Sequence, residues 1–292
     1  MKIQRLTKTV SDQIAAGEVI ERPSSIVKEL VENSLDAGAK SIVIQVEQAG
    51  FNKLRVTDDG HGMNQNDLKL SIERHATSKL INLSDLDYIA SFGFRGEALA
   101  SIASVSKMSI KSKEANAPSG HLLKLEGGVV KTDCEPCAAN KGTSVLVEDL
   151  FFNTPARRKF LRTTATEMRH IKLVAIRLAI ANPSINISLY HNDKTIFSFR
   201  AGNKNVMPER FQLLAGRNFS NDSLYFEGGS NSCEVFGWVA KPTASGSASD
   251  LHLRFINSRY IRDRVLDMAV KLAYKDIMFG HKLPPYSIHL VI

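Results

Sequence analysis

The stretch from Pro23 to Gly38 restricts this chain more than any other. Proline opens it and glycine closes it, the usual asymmetry of helix ends, which predicts a helix from about Ser24 to Ala37. Ile26, Val27, Leu30, Val31 and Leu35 share one broad arc at helical spacing, and Glu29, Glu32, Asn33 and Asp36 share the other. Two strand patterns follow. Ile42, Ile44 and Val46 alternate in the first, Leu54 and Val56 in the second, with a turn at Gly50. Asp58-Asp59-Gly60-His61-Gly62-Met63 leaves the second strand, and Asn64 is placed to cap a short helix through Ser71. His75 to Gly96 has no clear period and predicts a long functional loop, with a helix from about Glu97 to Ala103 behind it.

Further on, Leu122 to Leu125 and Ser144 to Val147 read as strands, and Thr154-Pro155 starts a basic helical segment. A helix from Thr166 to Ala181 stops at Asn182-Pro183, and Ile185 to Tyr190 pairs with Thr195 to Phe199 as a hairpin. Ala201 to Asn205 is the candidate linker. After it come strands near Cys233 to Val239, Leu251 to Asn257 and Ser287 to Ile292, with a helix from about Arg262 to Phe279, a small α+β unit.

With 292 residues the chain has room for one large or two ordinary domains. No stretch approaches the roughly 20 apolar residues of a membrane span, and the first residues carry no secretory signal, so a cytoplasmic protein is expected. Cys134 and Cys137 form a lone C-x-x-C without a second ligand pair, which reads as two loop thiols rather than a zinc site. The net charge of +8 is concentrated in two stretches, Arg157 to Arg177 and Arg254 to Lys275. Each suits either a phosphate backbone or a solvated helix face.

Four features of the first part converge on a nucleotide. Glu29 and Asn33 stand one helical turn apart. An amide oxygen can hold Mg²⁺ beside phosphates and a carboxylate can act as general base toward water, although a solvated helix face carries such pairs too. Asp58-x-Gly60-x-Gly62 offers an acceptor for the amine of adenine beside glycines that admit a flat base, or else an ordinary Asp-Gly turn. Gly93-Phe94-Arg95-Gly96-Glu97-Ala98-Leu99 is a glycine-bracketed turn opening a helix, where N–H groups suit a phosphate unless Glu97 caps the dipole itself. Thr77-Ser78-Lys79 supplies hydroxyls and an ammonium able to close over phosphates. No P-loop, Rossmann fingerprint, nucleophile elbow or H-E-x-x-H is present.

Together these elements resemble the GHKL ATPases, the superfamily of gyrase B, heat-shock chaperones and histidine kinases. Within it they resemble the bacterial MutL family of DNA mismatch repair proteins, through Gln13 to Ile20, Glu29 to Gly38, Arg74 to Lys79, Gly93 to Leu99 and Phe152 to Leu161. The resemblance implies ATP and Mg²⁺ as ligands. It makes Glu29 the general base, Asn33 the Mg²⁺ ligand, and Asp58 the reader of adenine in a pocket shaped by Gly60, Gly62 and Met63. Thr143 lines the adenine side. Thr77, Ser78, Lys79 and the turn of Gly93, Phe94, Arg95, Gly96, Glu97, Ala98 and Leu99 form the lid and phosphate cradle.

The implied fold is an α/β (α+β) sandwich of the GHKL ATPase type with a mixed sheet over residues 1–204, its first 20 residues a dimerisation arm. A ribosomal protein S5 domain 2-like βαβ domain follows over 205–292, and the coarse pattern agrees with both. The family further implies a homodimer on ATP binding that holds DNA in a basic saddle, here with Arg162, Arg262 and Arg264. Implied partners are a mismatch-recognition protein of MutS type and a downstream nuclease or helicase, with nucleoid association and no membrane. Ile292 precedes the lysine-bearing segment that reaches the terminal phosphate in the family. A shortened chain is therefore expected, one in which binding persists while turnover and tight dimerisation depend on that segment. Two other readings are a type II topoisomerase subunit, whose lid would not carry Gly93 to Leu99, and a basic DNA-binding scaffold without ATP chemistry.

Overall fold

The structure, a computed structural model, describes residues 7–77, 96–216, 219–230, 232–241, 251–276 and 283–292, and no helix among them is long and apolar enough to cross a membrane. The chain divides into two compact units. Unit 1 holds residues 1–175 and 185–200; unit 2 holds 176–184 and 201–292.

Unit 1 opens with α1 (Lys8–Val19) and α2 (Pro23–Asp36). Pro23 occupies the first turn of α2, where a missing N–H costs nothing, and Ile26, Val27, Leu30 and Val31 are buried as the apolar arc requires. The polar arc departs from expectation. Glu32 and Ser34 are also buried, because this side of α2 faces a cavity rather than bulk water. β1 (Ser41–Glu47) and β2 (Lys53–Asp58) pair antiparallel, joined through a 3₁₀ turn at Gln48–Gly50. Ile42, Ile44, Val46, Leu54 and Val56 are all buried, each such side chain contributing roughly 1.5–3 kcal/mol.

After α3 (Gln65–Leu70), whose first amides are capped by the Asn64 side chain, and α4 (Ala98–Ser104), come β3 (Lys107–Lys113), β4 (Gly120–Glu126), β5 (Val129–Cys137) and β6 (Gly142–Glu148). α5 (Pro155–Phe160) and α6 (Thr164–Ala181) lead to the hairpin β7 (Asn186–His191) and β8 (Lys194–Phe199). The eight strands form one mixed sheet in the order β5-β4-β3-β6-β2-β1-β7-β8, with β1 and β7 parallel. β3 and β5 were not foreseen. The thiols of Cys134 and Cys137, read as loop residues, lie on β5 and are free.

Unit 2 takes the end of α6 and adds α7 (Met207–Ala215), β9 (Ser223–Ser230), β10 (Cys233–Ala240), β11 (His252–Ile256), β12 (Arg259–Tyr260), α8 (Arg264–Ala273) and β13 (Tyr286–Val291). Its sheet runs β12-β11-β13-β10-β9, and β11 and β13 are parallel with α8 between them in sequence, a βαβ crossover. α8 is shorter at its start than the pattern suggested, because Asp263 caps it by accepting from the amide of Leu266. α7, absent from the sequence reading, carries Arg210, only 1% exposed. Its guanidinium donates to the carbonyls of Ala179 (2.5 Å), Asn182 (3.0 Å) and Pro183 (2.9 Å), closing the C-terminal end of α6. Burial holds its pKa down at about 10, so it stays charged at neutral pH.

Candidate functional site

A cavity of about 1160 Å³ opens in unit 1 between α2, the segment after β2, and the start of α4. Asp58 ends β2 at its floor. Strand register explains its setting: Asp58 pairs with Thr143 on β6, and Thr143 pairs with Ser112 on β3, so the three stand in one row across the sheet. Asp58 Oδ1 accepts from the amides of Gly60 (2.9 Å) and Thr143 (3.2 Å), and Oδ2 accepts from the Ser34 hydroxyl (2.8 Å), which also lies 3.0 Å from the Leu30 carbonyl. Burial pushes the carboxyl above its ordinary range, against the pull of those three hydrogen bonds. A carboxylate so oriented keeps lone pairs for a further donor, since two oxygens offer about four acceptor sites.

The neighbouring glycines are required by the protein's own backbone. Gly62 has φ +75°, and a Cβ there would stand 2.1 Å from the Lys113 carbonyl oxygen. Gly142 has φ +107°, with Asp58 O 2.0 Å from the corresponding position. Met63 follows Gly62, lines the cavity, and is fixed through its amide, which donates to Ser112 Oγ at 2.8 Å. Ser112 in turn lies 2.9 Å from Thr143 Oγ1. Gly60 lies close against Ala37 and orients Asp58 through its amide without lining the cavity.

Glu29 and Asn33 line one wall together, a turn apart on α2. Lys28 donates to Glu29 Oε1 (2.9 Å) and to Glu32 Oε2 (3.0 Å). Burial alone would lower the Lys28 pKa; the two carboxylates outweigh it and raise it, so the ammonium stays charged. Thr77, Gly96, Glu97, Ala98 and Leu99 line the same cavity. Glu97 occupies the cap position of α4 but makes no side-chain cap hydrogen bond, and its Oε1 lies instead 3.5 Å from Nδ1 of His75. The amides at the start of α4 are thus not claimed by Glu97, as the simpler reading of the motif required.

Eleven expected residues therefore gather around one cavity: Glu29, Asn33, Asp58, Gly62, Met63, Thr77, Gly96, Glu97, Ala98, Leu99 and Thr143. Ser78, Lys79, Gly93, Phe94 and Arg95 lie outside the described residues. Ser34, Ser112 and Lys28 were missed, because a lone serine or lysine carries no local pattern and acts here only through strand register and helix facing. Of the basic candidates, Arg162 is exposed in unit 1, and Arg262 and Arg264 are exposed in unit 2.

Residues 21–133 match the family of histidine kinase-, DNA gyrase B- and HSP90-like ATPases, and residues 211–292 match the C-terminal domain of DNA mismatch repair proteins. The DNA mismatch repair protein MutL of Cellvibrio japonicus is 43% identical over 99% of this chain and 46% of its own length. That of Pseudomonas paraeruginosa is 45% identical over 98% of the chain and 45% of its own. The chain thus spans about half the length of the curated relatives it matches. Among solved structures, the Aquifex aeolicus MutL ATPase domain complexed with ADP superposes with a TM-score of 0.66 at 26% identity, covering 94% of this chain and 93% of the other.

Proposed function

The chain belongs to the MutL family of DNA mismatch repair proteins, and from that premise we propose that unit 1 binds ATP with Mg²⁺ and hydrolyses it slowly. The observation that carries this is Asp58, fixed by Ser34, Gly60 and Thr143 at the floor of a cavity whose wall bears Glu29 and Asn33. The cavity is slightly larger than the roughly 300–1,000 Å³ of ordinary small-molecule sites, room enough for a nucleotide triphosphate. The ADP complex of the Aquifex aeolicus domain supports the same ligand class here.

Asp58 accepts a hydrogen bond from the amine of adenine, with Gly62, Met63 and Thr143 shaping the base pocket around it. Asn33 would hold Mg²⁺ through its amide oxygen, the hard donor that ion takes, and the ion would supply charge neutralisation at the phosphates. Glu29 accepts the proton of the attacking water as the water oxygen bonds to the terminal phosphorus and ADP leaves. Lys28 holds one Glu29 oxygen and so orients the carboxylate. Thr77, Ser78, Lys79 and the Gly93 to Leu99 turn, with Phe94 and Arg95 inside it, cradle the phosphates.

ATP binding brings two copies together through residues 1–20. The dimer holds DNA against Arg162, Arg262 and Arg264, coupling a MutS-type mismatch-recognition protein to a downstream nuclease or helicase. Calorimetric titration with a non-hydrolysable ATP analogue and Mg²⁺ tests the central step. Binding that Asp58→Ala abolishes is expected; a wild-type chain that takes up no analogue would overturn the reading.

A further inference from the structure

α5 is a six-residue helix with no buried residue, and its last side chain, Phe160, is 82% exposed. Leaving a phenyl ring in water forgoes roughly 1.5–3 kcal/mol of burial, so nothing in the packing of unit 1 accounts for its position. The helix itself is anchored. The Arg157 guanidinium donates to the Ile14 carbonyl at 3.3 Å and lies where a Cβ on Gly17 would be, tying α5 to α1. Arg158, Lys159 and Phe160 are exposed on the same helix, and Arg162 is exposed just beyond.

Along the sequence on either side of the ring the charge is one-sided. Between residues 150 and 192 the only acid is Glu167, which is 1% exposed and accepts from the Arg162 amide at 3.0 Å, so it does not screen the cations outside. A protruding aromatic ring among three exposed cations is the pairing that single-stranded nucleic acid uses, bases stacking on the ring and phosphates meeting the cations. In a duplex the base faces are already covered by their neighbours, and such a ring finds nothing to stack on.

We propose that α5 is a contact for unpaired DNA, with Phe160 stacking on a base while Arg158, Lys159 and Arg162 hold the flanking phosphates. This rests on the DNA-binding reading above and assigns to it a base-stacking residue outside the ATP cavity.

The test measures binding of the whole chain, at low and fixed salt, to three probes: a single strand, the same strand with abasic sugars, and a duplex. Phe160→Ala should weaken the single strand roughly 5- to 140-fold and leave the abasic strand and the duplex unchanged. Phe160→Trp should restore single-strand affinity, with its fluorescence quenched on binding. Arg162→Glu should weaken all three probes. Phe160→Ala with wild-type affinity for every probe overturns the stacking role while the DNA reading stands. Equal loss on the abasic strand or duplex, or a change in oligomeric state without strand selectivity, also overturns it. A wild-type chain that binds no probe overturns the DNA reading itself.

Discussion

The Ser34 hydroxyl lies 2.8 Å from Oδ2 of Asp58, a single hydrogen bond that joins the wall of the cavity to its floor. Ser34 is 3% exposed, and its oxygen is shared with the Leu30 carbonyl, a back-bond that adds little to a helix. Ser34→Ala should therefore leave the melting temperature nearly unchanged, alanine being the better helix former. Affinity for a non-hydrolysable ATP analogue should fall about fivefold, the equivalent of about 1 kcal/mol for one lost hydrogen bond. Calorimetry with wild-type affinity in Ser34→Ala would show that Asp58 is positioned without it.

Asp58 gives the site a pH dependence with a definite sign. Burial raises its pKa, and only the ionised form accepts from adenine with both oxygens. Nucleotide affinity should thus decline on acidification sooner than an exposed aspartate, with a pKa of about 3.9, would dictate. Stability runs the other way. A carboxyl whose pKa rises on folding contributes stability below its unfolded value and loses it as pH climbs through the folded value. Without nucleotide, Asp58→Asn should unfold no earlier than the wild type at about pH 7 while binding ATP analogue poorly. Lower thermal stability of Asp58→Asn at that pH would count against burial as the dominant cause.

Gly62 and Gly38 separate two costs that are usually confounded. Both have positive φ, +75° and +71°, but a Cβ on Gly62 meets the Lys113 carbonyl at 2.1 Å whereas one on Gly38 meets nothing within 4 Å. Gly38→Ala should cost about 1 kcal/mol of stability from the dihedral alone. Gly62→Ala should cost about 3 kcal/mol or more and should also displace Met63, weakening nucleotide binding. Equal denaturation midpoints for the two variants would contradict this.

Unit 2 carries its own titration. His289 is 3% exposed, its ring stacked 4.9 Å from Phe236 and 4.6 Å from Phe255, with Nε2 2.9 Å from the Ser287 hydroxyl. Burial, assisted by the charge of Lys204, pushes it down to about 3. A depressed pKa means stability that is whole above the unfolded value and is lost as pH falls toward the folded one, here up to about 1.4 kcal/mol per pH unit below about 6.5. The single tryptophan, Trp238, lies on β10 in the same unit and reports its unfolding. Urea midpoints followed by its fluorescence should drop between about pH 7 and 5 in the wild type and much less in His289→Gln. A wild-type midpoint that does not move would refute the assignment.

What was legible in the sequence follows from what each element buries. α2, β1 and β2 bury one face and expose or line the other, so their apolar residues recur at 3.6 or 2 and could be read directly. β5 is an edge strand with mostly exposed side chains, and Val129, Val130 and Lys131 give no alternation to find. α7 begins at Met207-Pro208 directly behind the polar stretch read as the linker, and its short apolar face gave no pattern that was read as a helix. The site residues that were seen, Glu29, Asn33 and Asp58, stand in local motifs. Those that were missed carry no motif of their own: Ser112 reaches Met63 and Thr143 through strand register, Ser34 reaches Asp58 from the face of α2, and Lys28 is marked only by the two carboxylates it holds.

Arg210 decides where this polypeptide can be divided. The carbonyls it holds, on Ala179, Asn182 and Pro183, come before the β7–β8 hairpin, while Arg210 itself comes after it. A fragment excised from Ala201 onward would keep the guanidinium and lose all three acceptors, exposing a cation where the intact unit has a sealed helix end. No single cut frees unit 2 whole. A protease nick at the hairpin tip, Asn192-Asp193, should leave its two pieces clamped together through Arg210 after the backbone between them is severed.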